Sequence, residues 1–177
     1  MSRSMRLVLF QREAGGFPNK LVPSLTTLIF VLVSVVPLHI PGFAVVTPAF
    51  ALMAVYHWTI YRSDLLPPIT VFAAGLLLDL LNGTPYVGTS ALSLLITRSV
   101  LMGQRRFFIN RLFPVLWAGF LGTAAAVVTF EWALVSTLHG QLLGVRPFIF
   151  EAALTVASFP VASYLLARAQ RAFLMRV

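Results

Sequence analysis

Apolar residues in this chain come in long runs instead of alternating with polar ones, and Gly, Pro and charge divide the runs into six lengths. A helix that crosses a bilayer needs about 20 mostly apolar residues. The first length runs from about Leu21 to Ile40 and the second from about Phe43 to Tyr61, with the turn signal Pro41-Gly42 between them. The third, Leu66 to Leu81, is short for a span. The fourth, Pro85 to Met102, follows Asn82-Gly83-Thr84-Pro85, residues that suit a tight turn. The fifth, Leu112 to Leu138, is long enough to tilt. The sixth, Pro147 to Ala167, opens on a Pro whose missing N–H costs nothing in a first turn. The pattern predicts an all-α membrane protein, a six-transmembrane-helix bundle. Residues 1–20 are an N-terminal tail, 21–167 the membrane domain and 168–177 a C-terminal tail. There is no internal repeat of the kind that marks inverted-repeat transporters.

Composition agrees with that pattern. Of 177 residues, 59% are hydrophobic and 10% charged, against about a quarter charged in ordinary globular domains. Residues 21 to 61 contain no Lys, Arg, Asp or Glu at all. The net charge of +8 raises the question of nucleic acid. Its placement at the ends of apolar runs, not along one face between aromatic platforms, excludes that partner. Cysteine is absent, so no disulfide, thiolate metal site or Cys nucleophile is available. Ala49-Phe50-Ala51 has the spacing of a leader-peptidase site. It lies inside a continuing apolar run and would leave an overlong leader, so residues 1–20 are read as a cytoplasmic tail.

Orientation follows from the basic residues in the short connections. With the N-terminus inside, the cytoplasmic segments hold Arg3, Arg6, Arg12 and Lys20, then Arg62, then Arg105, Arg106 and Arg111, then Arg168, Arg171 and Arg176. Only Arg98, inside the fourth length, and Arg146, in an outer connection, fall elsewhere. Both ends are therefore expected in the cytoplasm.

Charge within a span costs at least about 2.5–3.5 kcal/mol, so the few polar positions are informative. Asp79 lies late in the third length, Glu131 late in the fifth and Glu151 early in the sixth. At 1.5 Å per residue all three fall in the outer half of the bilayer and could face one cavity, although Glu131 and Glu151 also come close to the outer headgroups. Gly75 and Gly83 lie one turn before and after Asp79, a small-polar-small face of the kind on which membrane helices pack. A structural cap on the following turn, through Thr84, Thr89 or Ser90, is the first reading of Asp79. A ligand or partner contact is the second. Arg98 is expected to snorkel to the cytoplasmic interface. His39, His57 and His139 are scattered and are read as interfacial packing or solvated residues, not catalytic ones, and Trp58, Trp132 and Tyr61 near span ends fit an aromatic belt. Neither HExxH, a phosphate-binding loop nor paired-His metal spacing is present. Gly88-Thr89-Ser90-Ala91 is similar to the serine motif of rhomboid proteases, but the Gly after Ser and a His base on the sixth helix are missing. No enzymatic activity and no cofactor are expected.

The stretch from Gly75 to Leu92, with Gly75, Asp79, Gly83 and Gly88 followed by Thr89-Ser90-Ala91-Leu92, resembles the signature of the MreD family of bacterial rod shape-determining proteins. The resemblance implies a non-enzymatic component of the elongation (rod) complex in the cell inner membrane. Its partners would be MreC most directly, the RodA glycosyltransferase with its class B penicillin-binding transpeptidase, and MreB indirectly. Gly75, Asp79, Gly83, Gly88 and Ser90 are then a structural or partner-binding motif, while Glu131, Glu151 and Arg98 are intramembrane polar contacts proposed on burial cost alone. The family also resembles the substrate-binding S-components of energy-coupling-factor vitamin transporters, which makes a small-molecule binder the alternative. A polar pocket of about 300 Å³ or more would favour that alternative, and an apolar, small-residue groove open to lipid would favour the scaffold. A solute or lipid-precursor transporter has no motif in its support.

Overall fold

The computed structural model describes residues 17–36, 47–108, 111–142 and 144–174. Six helices are found among them: α1 Phe17–Ser34, α2 Phe50–Arg62, α3 Pro68–Asn82, α4 Thr89–Phe108, α5 Phe113–His139 and α6 Arg146–Leu174. The turn expected at Pro41-Gly42, His39 and most of the N-terminal tail lie outside the described residues. Starts and stops follow local chemistry. Pro68 opens α3 and Pro114 lies in the first turn of α5, where a missing N–H is tolerated. Gly83 and Gly140 close α3 and α5 in the left-handed conformation, at φ 61° and 68°.

Five helices form a ring in the order α1, α3, α4, α5, α6 and back to α1, and α2 runs through the middle, packed on α1, α4 and α6. Every residue of α2 from Ala51 to Ile60 is buried. A helix apolar all round belongs in an interior, and α2 has that composition with only 13 residues. Trp58 is accordingly a core residue, fully buried with its indole N–H donating to Thr26 Oγ1 at 2.9 Å. The belt position expected for it is corrected by the central place of α2, which leaves it no lipid-facing side. Tyr56 on the same helix donates to the Leu116 carbonyl at 2.9 Å and sits among the rings of Phe108, Phe120 and Phe159. Gly119 leaves room for this cluster, since a Cβ there would overlap the Phe108 ring.

The outer faces of the ring are apolar. Leu25, Leu32, Leu121 and Leu165 are each more than half exposed, a surface that water does not tolerate at this extent. α5 and residues Arg146–Arg171 of α6 are long and apolar enough to cross a membrane, whereas Leu21–Ser34 and Pro68–Asn82 are shorter apolar helices. Where hydrocarbon replaces water, apolar burial alone does not hold helices together, and packing and cross-helix hydrogen bonds take over. Such bonds recur here. Pro160 inside α6 lacks an N–H, so the Val156 carbonyl loses its helical donor, and Trp117 Nε1 of α5 supplies one at 3.1 Å.

Candidate functional site

Two helix N-termini are capped by side chains from other helices. The first N–H groups of a helix have no partner within it, and inside hydrocarbon no water replaces one. At the start of α2 the Ala49 N–H donates to Thr155 Oγ1 of α6 at 3.0 Å and the Ala51 N–H to Ser34 Oγ of α1 at 3.1 Å. At the start of α4 the capping group is Asp79 of α3. Gly88 accepts the first helical bond, from Leu92, at 2.9 Å and so occupies the N-cap position, yet glycine has no capping side chain. Asp79, fully buried, substitutes for it. Its Oδ2 accepts the Gly88 N–H at 2.7 Å, and its Oδ1 accepts the Ser90 N–H at 3.2 Å and the Thr89 hydroxyl at 3.3 Å. A carboxylate at a helix N-terminus is favoured both by these donors and by the macrodipole.

The glycines around it have separable tasks. At Gly75 an added Cβ would overlap the Ala91 backbone, 2.7 Å from its nitrogen, so only glycine lets α3 and α4 cross closely enough for Asp79 to reach the cap. Gly83 does not pack on that face. It lies past the helix end with open space around it, and its positive φ forms a Schellman turn, its N–H donating to the Leu80 carbonyl and that of Thr84 to the Asp79 carbonyl at 3.2 Å. Gly88 has φ 111°, which turns its N–H onto Asp79. The Thr84 hydroxyl bonds the Asp79 carbonyl, not the carboxylate.

Glu131 and Glu151 face each other across a small cavity of about 80 Å³, which Ser34, Asn82, Ser90 and Thr155 also line. The capped starts of α2 and α4 therefore open onto the same space as the two carboxyls. Asp79 is not among the lining residues, because its carboxylate is turned onto the start of α4, so the expectation that all three acids face one cavity holds for Glu131 and Glu151 alone. Arg98 does not line the cavity either. Buried at 8% exposure, its Nε donates to the Leu66 carbonyl at 3.0 Å and ties α4 to the α2–α3 connection. Among the described residues no group of three or more His, Cys, Asp or Glu side chains is arranged to hold a metal.

Sequence reasoning left out Ser34 and Thr155. Hydroxyls in apolar helices usually bond back to their own helix, as Thr97 does to Ser93, and nothing local marks the ones that cap a neighbour. His57, expected to pack at an interface or be solvated, lies in the interior instead. It is buried on α2 with Nε2 at 3.2 Å from Gln170 Oε1 of α6.

A family model described as rod shape-determining protein MreD matches residues 19–140, from α1 to the end of α5, with the whole Asp79 turn inside the match. The chain belongs to the MreD family. MreD proteins are shape-determining membrane proteins of the rod complex, a structural family within the MreB/MreC system. Comparison with curated proteins and with solved structures returned no match.

Proposed function

We propose that this chain is a non-enzymatic scaffold of the elongation complex in the bacterial inner membrane. Residues 21–167 cross the bilayer six times, and the tails 1–20 and 168–177 lie in the cytoplasm. The bundle holds the transmembrane helix of MreC, and through it links MreB filaments inside to RodA and its class B penicillin-binding transpeptidase outside. The distribution of polarity carries the reading. Asp79, Ser34, Thr155 and Arg98 are engaged in closing the fold's own backbone. The opening between α4 and α5, about 370 Å³, is mostly apolar, with a strip of small residues, Gly119, Gly122, Thr123 and Ala126, along its α5 wall and larger side chains such as Ile96, Val100 and Phe130 around it. Small residues let a further helix backbone approach closely, which is how membrane helices pair. A Cβ at Gly122 would meet nothing within 4 Å, so the space is free for a partner.

The vitamin-binding alternative receives less support. The cavity on which Glu131 and Glu151 converge, where that alternative places its ligand, holds about 80 Å³, well below the roughly 300 Å³ of a small-molecule site, and the larger cavity of about 560 Å³ between α2, α5 and α6 lies at the opposite end of the bundle from those acids. The test is purification of the tagged protein in mild detergent from its native membranes, beside Gly122→Trp, which fills the groove. MreC should co-purify with the unaltered protein and be lost with the variant while the bundle stays folded. Recovery of transporter ATPases and a coupling subunit in place of MreC would overturn the proposal.

A further inference from the structure

Apart from Arg98, held within α4, and Arg146 at the opposite end, where α6 begins, the arginines of the described residues gather at one end of the bundle. Arg62 closes α2, Arg105 and Arg106 lie near the end of α4, Arg111 precedes α5, and Arg168 and Arg171 lie in the last turns of α6. The acid among the described residues at this end is Asp64, which pairs with Arg62 at 3.6 Å. A cavity of about 560 Å³ opens at the same end between α2, α5 and α6. It is more than large enough for the polar head and first chain segments of a lipid, since ligand sites run from about 300 to 1,000 Å³.

Its lining is graded along α6. Arg171 and Gln170 stand at the mouth beside Tyr61, Ser163 and Tyr164 lie one to two turns deeper, and Phe159 with Leu116 makes an apolar floor. No carboxylate contributes to it. With His57 Nε2–H donating to Gln170 Oε1 at 3.2 Å, the Gln170 amide nitrogen remains a donor toward the cavity. The hydroxyls of the half-exposed Tyr61 and Tyr164 supply further donors at headgroup depth. A cation and neutral donors at the mouth of an apolar slot match a phosphate joined to acyl chains, and basic pockets between membrane helices bind anionic headgroups. We infer that this cavity is a binding site for an anionic phospholipid, its phosphate on Arg171 and its chains along α6 past Tyr164. The site lies on the α6 side of α5 and the groove on its α4 side, with the Tyr56 and Phe108 rings between them, and the lipid site is argued without regard to what occupies the groove.

The experiment is native mass spectrometry of the full chain released from nanodiscs of phosphatidylglycerol and phosphatidylcholine in equal parts. The unaltered protein should retain phosphatidylglycerol over phosphatidylcholine. Arg171→Gln should lower that preference about fivefold, the share of one basic residue at a membrane surface, and Ala167→Phe, which fills the cavity, should lower it as much. Arg168 is exposed and outside the lining, so Arg168→Gln removes the same charge and should leave the preference intact. Tyr164→Ala, at a side chain 63% exposed, opens the wall without disturbing the core and replaces Ala167→Phe if that variant fails to fold. Equal losses for Arg168→Gln and Arg171→Gln would overturn the site in favour of diffuse surface attraction. So would an unaltered protein without preference, or displacement of the lipid by inorganic phosphate alone.

Discussion

Asp79→Asn separates two opposite expectations for a buried membrane carboxylate. If the charge were only a burden, its removal would raise stability; if it caps α4, removal lowers it. Both carboxylate oxygens are engaged, Oδ2 by the Gly88 N–H at 2.7 Å and Oδ1 by the Ser90 N–H at 3.2 Å and the Thr89 hydroxyl. An Asn amide keeps one oxygen, so whichever way it turns an NH₂ group meets an N–H donor. One hydrogen bond to a charged acceptor is lost, about 1.5–3 kcal/mol, together with the charge–macrodipole attraction of about 0.3–1 kcal/mol. The relief of desolvation does not offset this. In the inserted but unpacked chain Asp79 has no donors from α4, so neutralisation favours that state more than the packed one. The expected loss is about 2–4 kcal/mol of packing stability, with insertion unimpaired. Unfolding in mixed detergent micelles measures the first, and hydrogen exchange of residues 88–92 localises it. A variant as stable as the parent, with unchanged exchange at Gly88 and Ser90, would refute the cap.

Gly75→Ala drives a Cβ into the Ala91 backbone and should cost about 1–3 kcal/mol or more, whereas Gly122→Ala meets open space and should stay within about 0.5 kcal/mol; equal effects in the same unfolding assay would contradict the close crossing of α3 and α4. Trp117→Phe leaves the Val156 carbonyl without its donor and should cost about 1 kcal/mol. Because Pro160→Ala restores a helical N–H to that carbonyl, the Trp117 change should cost clearly less in its presence, and strictly additive effects in the double-mutant cycle would count against the pairing. Gly83→Val should destabilise by at least about 1–2 kcal/mol at φ 61°, while Gly83→Asn, which tolerates that conformation, should cost less, as thermal unfolding in detergent would show.

The helices themselves were legible because Pro, Gly and charge punctuate apolar runs. The third was expected over 66–81 and is Pro68–Asn82, and the fifth over 112–138 and is Phe113–His139, whereas the second, expected from 43, starts only at Phe50, and the fourth, expected over 85–102, is Thr89–Phe108 because the turn takes up its first residues. Which helix is central was not legible. In a soluble protein polarity marks the outside, but here lipid and core are both apolar, so the pattern around α2 resembled that of a lipid-facing span and Trp58 read as an interfacial residue. At the Asp79 turn the expected donors were Thr84, Thr89 and Ser90; the structure has Gly88, Thr89 and Ser90. A backbone N–H is invisible in sequence, and Gly88 showed only as a small residue. Gly83 was read by its spacing as part of a packing face, although one residue past a helix end the left-handed turn outweighs the helical period. Glu131 and Glu151 lie on consecutive helices joined by a short connection, so their depths could be matched along the sequence. Their common cavity with the start of α2 required the ring around that helix, a long-range arrangement that no local pattern encodes.

The most direct test of the scaffold is crosslinking from the α4–α5 groove in native membranes. The chain has no cysteine, so a single Gly122→Cys, labelled with a photoreactive probe, reports from one position. The account predicts a crosslink to the transmembrane segment of MreC from Gly122→Cys and none from Leu25→Cys on the outer face of α1. A groove that captures only lipid, or crosslinks to MreC that are equal from both positions, would contradict it.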